Sequence, residues 1–166
     1  MKYRKATFQD LKEILIMKTD VKQRIKDEQL PIWLDGYPSD DLIQSDIENG
    51  FGRVVEDEEM LVGYACFHKD IEEYPIKTFL KDHLMSFGRV MVKTGFTGRH
   101  YGAYLIESMI KEAKSLGANG IGILVDSCNK RALCLYQKYG FIKEESKQFP
   151  FAFLDVYSLY FNNRNI

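Results

Sequence analysis

The chain has no surplus of charge of either sign: 23 Lys and Arg stand against 24 Asp and Glu, a formal net charge of -1. That balance excludes the broad basic field of a dedicated nucleic-acid or anionic-membrane binder. Cysteine is scarce. Cys66, Cys128 and Cys134 are odd in number, and the six-residue step between the last two lacks the tight spacing of structural zinc pairs. They read as reduced thiols, and no metal is expected. No apolar run approaches the ~18 residues of a membrane helix. Met1–Asp10 is polar and charged, without the apolar core of a signal peptide. A cytoplasmic protein with no membrane and no nucleic acid among its partners is the expectation. Internal repeats and low-complexity tracts are absent too.

What is present is an ordinary globular composition, 45% hydrophobic over 166 residues, enough for a single domain spanning 1–166. Tyr3–Ala6 reads as a first strand. Thr7 with Asp10 three residues on resembles a capping box, and Phe8, Leu11, Ile14 and Leu15 give a helix over about 8–18. A charged, solvated helix over 19–30 would end at Pro31. Ser39 followed by Asp40 and Asp41 starts another helix, which Gly50 stops. Gly52–Glu56 and Met60–His68 predict a hairpin. Met85–Lys93 is a strand, a glycine loop follows, and an amphipathic helix over about 99–116 buries Leu105, Met109, Ala113 and Leu116. Ile121–Val125 is a fully apolar strand, Asn129–Tyr139 a helix ended by Gly140, and Phe141–Lys147 and Phe153–Phe161 are the last strands. Residues 85–126 thus form a βαβ unit whose strands run parallel. With the antiparallel hairpin, this predicts an α+β fold with a mixed, mostly antiparallel sheet flanked by helices.

Two segments carry chemistry. Gly95-Phe96-Thr97-Gly98-Arg99-His100-Tyr101-Gly102 places three glycines at a strand-to-helix junction. Such a turn aims backbone N–H groups at one point, and the helix start adds unpaired donors, a combination suited to a pyrophosphate. The same glycines also serve a plain helix start. Neither the P-loop nor the dinucleotide spacing is present. The second segment, Asn129 to Phe141, opens on an N-cap residue and sets Tyr136 two helical turns later, near the same face.

Together these segments resemble the GNAT superfamily of N-acetyltransferases. The family's acyl-CoA loop commonly reads [RQ]-x-x-G-x-[GA] after a Val-x-Val-like strand, here Val90-Met91-Val92. Its second motif resembles N-x-x-A-x-x-L-Y-x-x-x-G-F, which Asn129, Ala132, Leu135, Tyr136, Gly140 and Phe141 match in full. Thr97 stands in the usual Arg/Gln position and His100 in a usual Gly position. His100 fits only where its φ suits a residue with a Cβ.

The resemblance implies acetyl-CoA as co-substrate, held between two splayed parallel strands. Val90, Met91 and Val92 would meet the pantetheine arm. Gly98, Arg99, His100, Tyr101, Gly102 and Ala103 would hold the pyrophosphate, with Thr97 beside them among the cofactor-binding residues. Asn129, Ala132 and Tyr136 would line the thioester end, with Tyr136 assisting departure of the thiolate. An amine on a small molecule or peptide would attack the thioester directly. A non-catalytic acyl-CoA-binding or regulatory module is the alternative, and a nucleotide-binding protein a further one. Many members place a base on the strand before the loop, where Phe87-Gly88-Arg89 offers none. His68, His83, Glu56, Asp82 and Glu72 remain as scattered candidates. Trp33, Tyr37 and Tyr74 are candidate walls of an amine pocket, since aromatic faces favour cations. Nine aromatic rings between Tyr136 and Phe161 read first as core and second as a candidate homodimer surface.

Overall fold

The computed structural model describes residues 1–69, 76, 82–150 and 152–161. Strand β1 (Lys2–Lys5) leads through a 3-10 turn (Phe8–Asp10) into helix α1 (Leu11–Asp27). Then come helix α2 (Asp40–Glu48) and strands β2 (Gly52–Asp57), β3 (Met60–Lys69) and β4 (Leu84–Val92). Helix α3 (Tyr101–Ser115), strand β5 (Gly120–Val125), helix α4 (Lys130–Lys138) and strands β6 (Ile142–Gln148) and β7 (Phe153–Tyr160) complete the order. The seven strands form one sheet, β1-β2-β3-β4-β5-β7-β6. β1–β2, β2–β3, β5–β7 and β6–β7 pair antiparallel, while β4 and β5 are parallel. This is the mixed α+β sheet that the sequence predicts, with its βαβ unit as β4–α3–β5. The chain divides into two compact units, Met1–Phe67 with Arg89–Ser108 and His68–Gly88 with Met109–Ile166.

In the first unit, the Asp10 carboxylate accepts from the Thr7 amide at 2.7 Å and the Thr7 hydroxyl at 3.0 Å, as the capping spacing predicts. Two bonds from the Arg4 guanidinium, each 2.8 Å, help hold the Asp10 pKa down to about 2. The two expected helices over 8–30 are one continuous helix. No Gly or Pro interrupts 11–27, and Val21 extends the buried face of Ile14 and Met17. The helix closes at Asp27, short of Pro31, with Gln29 in the left-handed region at φ 54°. Ser39 caps α2 by accepting from the Leu42 amide at 3.1 Å. Ile14, Met17, Val21, Ile43, Ile47, Val54, Leu61, Tyr64 and Met91 make this unit's core. Full burial of each aliphatic member contributes about 2 kcal/mol.

The β2–β3 turn carries positive φ at both Glu58 (49°) and Glu59 (65°). That is the backbone of a two-residue hairpin turn that favours Asn-Gly. Glu58→Asn with Glu59→Gly should therefore stabilise the protein by about 1 kcal/mol, raising Tm by ~2–4 °C. Thermal unfolding checks this, and a fall in Tm would contradict it.

In the second unit, Ile76, Leu84, Phe149, Leu154 and Val156 form a buried cluster. Gly120 is required where β5 meets β7, because a Cβ there would lie 2.2 Å from the Leu159 carbonyl oxygen. Along α3, Leu105, Met109 and Ala113 are fully buried as predicted, together with Ile106. Leu116, placed on the same face by its spacing, is instead 63% exposed. It follows the last helical residue, Ser115, where the chain turns at Gly117 (φ 74°), so helical periodicity no longer governs it.

Candidate functional site

The parallel register joins Leu84, Met85 and Ser86 to Gly120, Ile121 and Gly122. β4 continues to Val92, but Arg89 adopts φ 52°, which breaks the extended geometry in mid-strand. Beyond it, the Lys93 amide donates to the Val62 carbonyl at 2.9 Å, and the Met91 carbonyl faces Gly63. Met91 and Lys93 therefore turn their backbone groups toward β3. By strand alternation, Val90 and Val92 present theirs at the opposite edge. The Met91 side chain is core, 1% exposed, and its carbonyl faces β3, so Met91, unlike Val90 and Val92, offers no group at the open edge.

After β4 the loop turns at Gly95 (φ 85°), Gly98 (φ 78°) and His100 (φ 65°). His100 thus takes the left-handed backbone that a glycine in its place would adopt freely. The first bond of α3 runs from the Tyr104 amide to the His100 carbonyl at 2.9 Å. The amides of Tyr101, Gly102 and Ala103 precede that bond and have no helical acceptor. No acidic residue occupies the first turn of α3. Thr97, Gly98, Arg99 and His100 are exposed. The Arg99 guanidinium lies 5.3 Å above the Phe96 ring, which also packs 5.8 Å from Tyr101. Such an exposed, donor-rich helix start has the chemistry to receive an anion. The Tyr101 side chain is committed elsewhere, its hydroxyl donating to Asp57 at 2.5 Å, so Tyr101 offers its amide.

His100→Gly should remove left-handed strain of about 1 kcal/mol, partly offset by the greater chain entropy of glycine. The Tm should stay level or rise slightly. Affinity for a pyrophosphate ligand should stay within about threefold if backbone amides hold the anion, and a tenfold loss by calorimetry would instead make the imidazole a direct contact.

The second unit supplies α4. Asn129 Oδ1 accepts from the Ala132 amide at 3.2 Å, which makes it the N-cap of α4. Its Nδ2 group has no protein partner among the described residues. The turn before it is braced: the Asn129 amide donates to the Asp126 carbonyl at 2.9 Å, and Ser127 donates to Asp155 at 2.7 Å. Asp155 is 3% exposed and also accepts from Ser146 and Lys143, each at 2.7 Å. Ala132 and Asn129 are half-buried. Tyr136 is 8% exposed, its ring 5.6 Å from Phe87 and 5.9 Å from Phe141 at edge-to-tilted angles. Burial raises its pKa above the ordinary 10.0. No protein group among the described residues bonds its hydroxyl.

Other predicted residues fall out differently. Trp33 and Tyr37 pack edge-on with centroids 6.3 Å apart. Trp33 lines a groove with Lys18, Lys22, Lys26, Ile32 and Leu34. Tyr74 and Glu72 lie outside the described residues. Glu56 is held by Arg4, which lowers its pKa, and Asp82 accepts from the Tyr160 hydroxyl at 2.9 Å. His68 is buried against the Lys69 carbonyl, and His83 is exposed.

Sequence reading missed Asp46. It is 3% exposed on α2, bonded to Arg89 and to the Tyr64 hydroxyl. The available signal was its place beside Ile43 and Ile47 on the apolar stripe of α2, where a carboxylate needs a partner. Among the described residues, no group of three His, Cys, Asp or Glu could hold a metal ion. No described helix is long and apolar enough to cross a membrane.

A strand with an open backbone edge running into a helix start rich in unpaired donors is geometry suited to an extended, phosphate-bearing ligand. Residues 19–141 match the acetyltransferase (GNAT) family, and the chain belongs to that family. Its fold is shared with a GNAT-family acetyltransferase of Streptococcus agalactiae 2603, at 21% identity, TM-score 0.84, and 98% and 96% coverage of this chain and that one. It is shared likewise with one from Listeria monocytogenes 4b F2365, at 21% identity, TM-score 0.80, and 96% and 94% coverage. The yncA protein of Salmonella typhimurium, solved with its cofactor acetyl-CoA, is 20% identical at TM-score 0.73, with 100% and 96% coverage. None of the curated proteins matches this chain.

Proposed function

We propose that this acetyltransferase moves an acetyl group from acetyl-CoA to a primary amine by direct attack on the thioester. The observation that carries the reading is the set of amides at Tyr101, Gly102 and Ala103, which precede the first helical bond and have no acceptor among the described residues, behind the left-handed turns at Gly98 and His100. These would hold the pyrophosphate, with Arg99 adding charge. The Val90 and Val92 edge would pair with the pantetheine amides as an added strand does. Asn129 Nδ2 would donate to the acyl or pantetheine carbonyl, and Tyr136 would stabilise charge on the departing sulfur.

Amines of pKa near 10 are mostly protonated at neutral pH, so the acceptor must lose a proton before attack. The test is thiol release from acetyl-CoA with a panel of amino acids, acidic peptides, polyamines and aminoglycosides. Turnover with at least one of these amines is the expected result. Binding of acetyl-CoA without turnover by any amine would favour the non-catalytic module, and displacement of acetyl-CoA by ATP would favour a nucleotide site.

A further inference from the structure

Arg89 lies at the one left-handed residue of β4, φ 52°, directly after Gly88. Glycine would take that conformation at no steric cost, yet Gly88 keeps an ordinary φ and the turn falls on a long cationic side chain. That side chain is clamped. Nε donates to Asp46 Oδ2 at 2.8 Å, one terminal nitrogen donates to Asp46 Oδ1 at 2.6 Å, and the other reaches the Tyr37 hydroxyl at 3.3 Å. Asp46 Oδ2 also accepts from the Tyr64 hydroxyl at 2.8 Å. The paired side chains are 9% and 4% exposed. The Cys66 thiol lies against both, its own pKa pushed up to about 12 by burial.

A buried ion pair is a poor way to gain stability, since an apolar pair of similar volume usually does as well or better. What the pair does supply is a fixed direction. A left-handed residue inside a strand rotates the next peptide and so sets which following residues face each neighbour. Here the setting puts Met91 and Lys93 on the β3 side and leaves Val90 and Val92 at the open edge.

We infer that Asp46 and Arg89 form a positioning device for the cofactor: the pair locks β4 in the turn that presents the Val90 and Val92 backbone to acetyl-CoA. This rests on the acetyl-CoA reading above. Neither residue needs to touch the ligand, so both are positioning residues, acting through the strand.

The test separates affinity from stability. Asp46→Asn offers a single acceptor oxygen and leaves the guanidinium charge uncompensated. It should lower Tm and weaken acetyl-CoA binding at least tenfold by calorimetry. Asp46→Leu with Arg89→Met replaces the pair by apolar groups and should recover part of the Tm lost in Asp46→Asn, short of wild type because the Tyr64 hydroxyl loses its acceptor, while affinity stays at least tenfold weaker. The KM for acetyl-CoA should rise more than the KM for the acceptor. Val21→Ala, a truncation in the core of the same unit, should lower Tm with affinity within twofold of wild type. Recovery of wild-type affinity together with Tm in the double variant would make the pair a packing contact and overturn the inference. So would an unchanged Kd in Asp46→Asn. The double variant decides alone if Asp46→Asn does not fold. Wild-type protein that fails to bind millimolar acetyl-CoA would instead overturn the proposed function.

Discussion

Gly102→Glu should weaken acetyl-CoA binding by at least about a hundredfold while leaving the free protein as stable as before, or more so. The two effects have opposite signs for one physical reason. Gly102 lies in the first turn of α3, among amides without a helical acceptor. A carboxylate there satisfies the positive end of the helix dipole, worth up to ~1 kcal/mol, and glutamate is also a better helix former than glycine by about half a kcal/mol or more. The same carboxylate occupies the region where the pyrophosphate charge would sit. Two like charges about 5 Å apart at an effective dielectric near 20 repel by ~3 kcal/mol, about a hundredfold in affinity. Gly102→Ala is the control for bulk without charge, and its affinity should fall far less. Calorimetry and thermal unfolding read the two quantities separately. A Kd for Gly102→Glu within threefold of wild type would place the anion elsewhere.

Tyr136→Phe should lower kcat by about 10²-fold with little change in fold or in Kd for acetyl-CoA. The ring is what packs, 5.6 Å from Phe87 and 5.9 Å from Phe141, and phenylalanine keeps both contacts. The hydroxyl is bonded by no described protein group, so its loss leaves nothing unpaired in the free protein. Its value would arise as charge develops on sulfur, which is why the rate should fall and ground-state binding should not. Burial holds the phenol above its ordinary pKa, so Tyr136 gives up its proton reluctantly in the free protein. A thiolate leaving into the same surroundings would be desolvated too, and its conjugate pKa would rise from about 8.5 in parallel. Hydrogen-bond donation with partial transfer is therefore the expected role. The measurement is kcat for a working amine under conditions where chemistry limits the rate. An unchanged kcat would reduce Tyr136 to a packing residue, with water protonating the sulfur.

The order of elements was legible because each is written locally. Ser39 caps α2, Asn129 caps α4, and Gly117 and Gly140 take the left-handed turns that end helices. These signals depend on residues three or four apart and survive without knowledge of the rest of the fold. The parallel pairing of β4 with β5 was legible for a similar reason, since a helix between two strands forces the crossover. Leu116 shows the limit: periodicity continues on paper after the helix has ended.

By itself, then, the sequence pointed to the family and named the candidate anion-binding loop and Tyr136, because a motif is a statement about spacing along one chain. Only the tertiary structure decided the rest. It put the left-handed backbone on Arg89 and His100, neither of which is glycine, because φ is set by what holds the chain from outside as much as by the residue itself. It turned Met91 into the core and Val90 and Val92 to the open edge, a choice that depends on a neighbouring strand. It also brought Asp46 to Arg89 across 43 residues of sequence. No local pattern specifies that pairing, since a buried charge finds its partner only when distant elements pack together.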